Sequence, residues 1–265
     1  MFSWLHNFLP SPIFFQLGII NIYWYGLIIV LGIILSLTLI LSLAKKFKID
    51  TEKIWDLSFY LVLFGIIGAR IYEIFLELPY YSQYPLQIIK IWEGGLAIHG
   101  AIIAGALTLY LFVKKNNLNF WQLGALVVPG LALGQAIGRW GNWFNQELFG
   151  KPTNLPWGIP IALENRPEEY LNYSFFQPTF LYESLGLLII TIVLIIFLRK
   201  QKNLSDKIAK QTIALYLATS ALLRLGLEFI KIDQTPLIFT WRWPQLISFA
   251  IIVIAIIIYQ KSHHA

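Results

Sequence analysis

The chain has 265 residues, 57% hydrophobic and 13% charged, with a formal net charge of +6 and a mean hydropathy of +0.66. This balance excludes a soluble globule of that size and fits a polytopic membrane protein. With no cysteine the chain supplies no disulfide, no cysteine metal site and no thiol nucleophile; the positive excess is read as marking cytoplasmic loops, not a nucleic-acid partner.

The first 44 residues hold no Lys or Arg, so no basic region of a cleavable signal peptide is visible. Seven apolar segments of spanning length follow, over roughly 22–43, 57–79, 97–113, 120–138, 178–198, 208–230 and 242–260. Basic residues orient them. Lys45, Lys46, Lys48 and Lys53 follow the first segment, and Lys114 and Lys115 the third. Arg199, Lys200, Lys202, Lys207 and Lys210 separate the fifth and sixth, and Lys261 follows the last. These twelve of the 20 basic residues share one side, and Lys90, Lys151, Arg166, Lys231 and Arg242 fall on the other. The richer side is expected to be cytoplasmic, with the N-terminus outside and the C-terminus inside. Trp24, Trp92, Trp140, Trp143, Trp241 and Trp243 at outer ends, and Trp55 and Trp121 at inner ends, read as interfacial anchors. The outer loops at roughly 80–96 and 139–177 are the long ones, and the second is long enough for a small external lobe. The expected fold is therefore all-α: one transmembrane domain over 1–265 with seven helices and that lobe between the fourth and fifth.

Three arginines lie inside these segments: Arg70, Arg139 and Arg224. A charge near the bilayer centre costs roughly 2.5–3.5 kcal/mol on insertion scales, and arginine offers a planar two-pronged fork to phosphate or carboxylate. With the orientation above, Tyr25, Arg70, Glu73, His99, Arg139, Asn142, Tyr182, Glu183, Arg224 and Glu228 share one level, in the outer leaflet. The pattern reads as a polar cavity for an anionic head group. The plainer alternatives are that Arg224 and Glu228, four apart, or Arg70 and Glu73, three apart, neutralise each other. Gly130, Gly134 and Gly138 recur every four residues and predict a close helix-packing face.

The most specific stretch is Gly138-Arg139-Trp140-Gly141-Asn142-Trp143-Phe144-Asn145-Gln146-Glu147-Leu148-Phe149-Gly150. It resembles the signature of the bacterial prolipoprotein diacylglyceryl transferases. Further matches follow in family order: Trp24-Tyr25-Gly26, then Trp92-Glu93-Gly94-Gly95 with Ile98-His99-Gly100. Gln177-Pro178-Thr179 with Leu181-Tyr182-Glu183 resembles the family's HPSQLYE element, with Gln in place of the usual His. Arg224, Glu228-Phe229 and Asp233 resemble its RxxxEFxRxPD motif. Two departures occur there. Ser220 stands where the family commonly has tyrosine, and Lys231 replaces the second arginine, keeping charge but losing the fork.

The resemblance implies an enzyme of the bacterial cytoplasmic membrane. Such an enzyme moves the diacylglyceryl group of phosphatidylglycerol onto the lipobox cysteine thiol of a preprolipoprotein signal peptide. It forms a thioether and releases glycerol phosphate, the first step of lipoprotein maturation. His99, Arg139 and Arg224 are the expected catalytic residues. Tyr25, Asn142, Glu147, Gly150 and Glu228, with Arg139, are expected to bind phosphatidylglycerol. His99 is the one histidine away from the termini, the others being His6, His263 and His264. Its ordinary pKa near ~6.5 suits a proton acceptor at neutral pH. No pair of histidines at ligand spacing and no acidic cluster occurs, so neither metal nor cofactor is expected. A transporter or channel for an anion or lipid is the competing class, but it predicts inverted repeats and polar residues at several depths. A different phospholipid-modifying enzyme is separated from the first reading only by the long signature.

Overall fold

The computed structural model describes residues 3–18, 20–91 and 94–263. Trp92, Glu93 and His264, singled out above, lie outside the described residues. The chain is mostly helical, and its long helices follow the apolar segments. These are α2 (Trp24–Lys46), α3 (Thr51–Leu76), α5 (Ile98–Lys115), α6 (Phe120–Phe144), α7 (Thr179–Arg199), α8 (Asp206–Glu228) and α9 (Trp243–Ser262), with short helices α1 (Ser3–Asn7) and α4 (Leu78–Gln83). Among the described residues six helices, all of these long ones except α8, are long and apolar enough to cross a membrane. The protein is a polytopic membrane protein. Helix α8 has 23 residues but carries Asp206, Lys207, Lys210, Arg224 and Glu228.

The chain divides into two compact units, residues 41–123 and residues 1–40 with 124–265. In the first, α3 starts where the Asp50 carboxylate accepts from the Glu52 amide at 2.9 Å, a conventional N-cap. Helices α3 and α5 cross at Gly68 and Gly100. A Cβ built on Gly100 would lie 2.1 Å from the Gly68 carbonyl oxygen, and one on Gly68 would lie 2.3 Å from the Ala104 Cβ. Small residues let backbones approach this closely, which dispersion rewards where lipid supplies no hydrophobic drive.

In the second unit, α6 packs on α2 through Gly130 and Gly134. A Cβ at Gly130 would meet the Ile40 side chain at 2.7 Å, and one at Gly134 would meet Ser36 Oγ at 2.9 Å. Ser36 Oγ also donates to the Gly130 carbonyl at 2.7 Å. Gly138 makes only ordinary contact with Ile29, at 3.8 Å. The interior is built from Val128, Ala132 and Ala136 of α6, Leu187, Ile190 and Leu194 of α7, and Tyr216 of α8. The Tyr216 hydroxyl, buried there, donates to Gln135 Oε1 at 3.1 Å, as a phenol in an apolar interior must find a partner.

Residues 145–178 fold into a small lobe. Strands β3 (Ile159–Pro160) and β4 (Phe175–Phe176) pair antiparallel within it. Its core joins Phe149, Ile159, Ile161 and Phe176 to Leu5 of α1, Trp143 of α6 and Phe180 of α7. Two other short hairpins, β1 (Ile13–Leu17) with β2 (Ile20–Tyr23) and β5 (Leu237–Ile238) with β6 (Trp241–Arg242), precede α2 and α9.

Gly100→Ala forces a methyl group into the Gly68 backbone. We expect it to lower stability by about 1–3 kcal/mol in thermal unfolding from detergent micelles. Gly65→Ala on the same α3, where nothing lies within 4 Å, should melt like the parent; equal melting of the two variants would contradict the close crossing.

Candidate functional site

Glu183 lies one turn into α7, with its side chain only 8% exposed. Its Oε1 sits 3.0 Å from Arg139 Nη2 of α6 and 3.8 Å from Arg224 Nη1 of α8. Its Oε2 accepts from Lys231 Nζ at 3.0 Å. Three cations thus share one buried carboxylate. A lone charge there would cost several kcal/mol; the cluster offsets this by pairing. Burial pulls the Lys231 ammonium below the usual lysine range, against the opposing pull of Glu183.

Arg139 is oriented from its other side too. Its Nη1 donates to Asn142 Oδ1 at 3.1 Å, and Asn142 Nδ2 donates to Glu147 Oε1 at 2.7 Å. A guanidinium on one side and a carboxylate on the other fix which way the amide faces. Glu147 reaches back because the chain turns sharply after α6: Gln146 and Leu148 have φ of 52° and 55°. Such left-handed conformations are unfavourable outside glycine, and here side-chain bonds hold them. Gln146 Nε2 donates to the Pro10 carbonyl at 2.8 Å and its Oε1 accepts from the Ala162 amide at 2.7 Å, while the Leu148 carbonyl accepts from the Thr179 hydroxyl.

The remaining expected residues of this unit gather around the same cluster. Tyr25 packs against the Gly141 backbone, where a Cβ would lie 2.6 Å from its ring, and is near enough to feel the charges of Glu147 and Arg139. Gly150 forms a backbone bridge to Lys231, and a Cβ there would meet Ile230, Thr179 and Gln177 at 2.9–3.0 Å. It therefore lets the turn after α6 lie against the end of α8. Glu228, with a side chain 0% exposed, lies 3.4 Å from Arg224 Nε and 3.4 Å from Arg242 Nη2.

Two arginines keep donors to spare. Arg139 Nε is buried with no hydrogen-bond acceptor among the described residues. Arg224 is one-third exposed and, among the described residues, its ion-pair contacts lie at 3.4 and 3.8 Å, well beyond the ~2.7–2.9 Å of a tight charge-assisted bond. An anion with several oxygens could take up both guanidinium groups.

Residues of the other unit behave differently. Arg70 is buried, but its guanidinium is occupied by backbone carbonyls: Ile88 at 2.9 Å, Gly94 at 2.8 Å, Gly95 at 2.7 Å, and Gln87. It also stacks 5.0 Å from the Tyr81 ring. Gly94 and Gly95 have φ of 99° and 73°, which only glycine adopts freely, and this lets both carbonyls turn to one side chain. Arg70 therefore organises the loop before α5 and leaves the group of arginines read as anion ligands. His99, in the first turn of α5, is exposed, with its ring 5.8 Å from Tyr72.

Trp143 is a core residue and not an interfacial anchor, while Trp140 is partly buried against it. Trp143 is 4% exposed and stacks on Phe180, and Trp140 Nε1 donates to Ser184 Oγ at 3.2 Å. They tie α6 to α7, whereas Trp55, Trp241 and Trp243 remain exposed. Glu183 is legible in the sequence as one of ten residues at a common level and as the last residue of the Leu181-Tyr182-Glu183 match; its place at the centre comes from α6, α7 and α8 converging. Lys231 and Arg242, counted above as loop charges, are part of the cluster. The loop from α8 to α9 folds back, which residue-by-residue charge counting does not detect.

The prolipoprotein diacylglyceryl transferase family model matches residues 12–260 of this chain. Relatives bearing the name phosphatidylglycerol–prolipoprotein diacylglyceryl transferase include one from a Synechococcus strain, 47% identical over 85% of this chain and 81% of its own. A Nostoc relative is 43% identical over 85% and 80%. One from Synechococcus elongatus is 40% identical over 94% and 86%.

Glu183→Ala would leave three cations without their common partner, and we expect a loss of about 3–5 kcal/mol in stability. Lys231→Met leaves Glu183 with both arginines and should cost less. Unfolding in detergent micelles checks the order; a Glu183→Ala protein that melts with the parent would remove this carboxylate from the centre of the cluster.

Proposed function

The chain belongs to the prolipoprotein diacylglyceryl transferase family, and from that premise we propose how its residues carry the reaction. The chain transfers the diacylglyceryl group of phosphatidylglycerol to a prolipoprotein. The acceptor is the lipobox cysteine thiol of the signal peptide. The thiol loses its proton, the thiolate sulfur bonds to the lipid's glycerol carbon, and the bond from that carbon to the phosphate oxygen breaks. A thioether remains on the peptide, and glycerol phosphate leaves carrying the electron pair as added negative charge.

The observation that carries this assignment is the pair Arg139 and Arg224, held on one buried carboxylate with donors unspent. Preorganised donors aimed at developing charge in a water-poor site commonly supply most of the rate enhancement in reactions of this kind. Arg139 and Arg224 bind the phosphate and stabilise it as it departs. Asn142 and Glu147 hold Arg139 in place and present polar groups to the glycerol head group. Tyr25 borders that position, Glu228 aligns Arg224, and Gly150 permits close backbone approach. His99 enters on its motif and its chemistry as the base that takes the thiol proton. The cluster needs no metal for these steps.

For the setting, α8 spans the bilayer as a seventh helix, with Arg224 and Glu228 of the cluster toward its outer end. The basic residues put the N-terminus outside and the C-terminus in the cytoplasm of a bacterial cell, and the 145–178 lobe outside. The cluster then opens to the outer leaflet, where phosphatidylglycerol and signal peptide meet.

Protein purified in phosphatidylglycerol micelles with a lipobox peptide should give a diacylglyceryl adduct by mass spectrometry, and a Cys→Ser peptide should give none. Arg139→Ala or Arg224→Ala should lower the rate ~10²–10³-fold in folded, inserted protein; unchanged turnover would sink the assignment. With His99→Gln, activity should be lost at pH 7 and partly regained as pH rises toward the thiol pKa near ~8.5, because the peptide then ionises unaided. A His99→Gln rate that stays flat from pH 7 to pH 9 would argue against the base role.

A further inference from the structure

Arg242 stands at the N-terminal edge of α9, where a cation opposes the helix dipole. Its head group turns away, to the end of α8. Nη1 donates to the carbonyls of Glu228 at 3.0 Å and Lys231 at 2.8 Å, Nη2 to the Asp233 carbonyl at 2.5 Å, and Nε to Thr235 Oγ1 at 3.0 Å. Nη2 also lies 3.4 Å from Glu228 Oε1 and 3.5 Å from Asp233 Oδ2. All three nitrogens are engaged, so Arg242 has little left to offer a ligand.

Its effect falls on Glu228. That carboxylate is fully buried, and neither oxygen has a hydrogen-bond donor among the described residues. Its charge is balanced by two guanidinium groups at equal distance: Arg242 on Oε1 and Arg224 on Oε2, each at 3.4 Å. Two cations therefore compete for one buried anion. Without Arg242 the whole attraction would act on Arg224. The contact would tighten toward the ~2.7–2.9 Å of a charge-assisted bond, drawing the guanidinium inward by roughly half an ångström.

We propose that Arg242 is a positioning residue for Arg224: by sharing Glu228 it keeps the Arg224 guanidinium loosely held and available to the departing phosphate. This inference rests on the reading of Arg224 as a phosphate ligand. The duller role is a staple for the 229–242 segment, and the two make different predictions.

The test compares Arg242→Gln, Arg242→Lys, Glu228→Gln, the double variant Glu228→Gln/Arg242→Gln, and Arg224→Ala in the peptide adduct assay. Rates are normalised to folded protein from size-exclusion profiles and melting curves. Since a misplacement of about 1 Å can cost ~10²-fold, the smaller shift here should lower kcat of Arg242→Gln roughly 10-fold, with KM for the peptide unchanged. Arg242→Lys, which keeps the charge but loses the fork, should recover most of kcat without recovering melting temperature. The double variant should turn over no more slowly than Glu228→Gln alone, since residues acting through one partner are non-additive. A normal kcat per folded molecule in Arg242→Gln, or losses that add in the double variant, would overturn the positioning role and leave the staple. If Arg224→Ala itself turns over normally, the underlying reading of Arg224 falls, and the inference with it.

Discussion

The sharing of buried Glu183 among Arg139, Arg224 and Lys231 is the interaction on which the rest of the second unit depends. Placing an ionised carboxylate inside a helical membrane protein costs several kcal/mol unless cations accompany it. Those cations come from three places: α6, α8 and the segment just beyond α8. The carboxylate therefore does more than balance charge. It defines where three helices meet, and so where two guanidinium groups are aimed. The packing elsewhere serves that convergence. Small residues bring α6 against α2, and Trp140 and Trp143 bind α6 to α7 through Ser184 and Phe180.

Around this centre the polar groups form two chains of decreasing rigidity. On the Arg139 side, Asn142 and Glu147 are fixed by a turn with two left-handed residues, itself held by Gln146. On the Arg224 side the contacts are longer, and Glu228 is divided between two cations. On the proposed reading, a site that grips a phosphate and releases it with increased charge benefits from one firm and one adjustable donor. Firmness gives orientation, while adjustability avoids spending binding energy equally on ground and transition states.

Arginine in an apolar helix has more than one use, and this chain contains two of them. Arg70 is saturated by four carbonyls of a single loop and so holds that loop against α3. Arg139 and Arg224 face carboxylates; among the described residues Arg139 Nε has no acceptor, and Arg224 is held at 3.4 Å and beyond. All three look alike in the sequence, since each interrupts an apolar run. What separates them is whether their neighbours are neutral acceptors fixed in a loop or anions on another helix.

The sequence by itself determined the helical membrane class and most ends of the long helices to within a few residues, although α3 begins at Thr51, six residues before the expected 57, and α6 runs to Phe144, six beyond the expected 138. Apolar runs and their polar punctuation are local properties, and a helix in lipid satisfies its backbone within one segment. Motif matches named Arg139, Asn142, Glu147, Gly150, Arg224 and Glu228 because a linear signature preserves which residues occur, whatever they touch. The tertiary structure decided the rest. It put Glu183 at the centre, withdrew Arg70, moved Trp143 from the interface to the core, and brought Lys231 and Arg242 out of the loop tally into the cluster. Each of these depends on contacts between residues far apart in the chain: Lys231 meets Glu183 across 48 positions, and Trp140 meets Ser184 across 44. Composition and spacing are blind to such pairs, because electrostatic and packing energies follow distance in space and not separation along the chain.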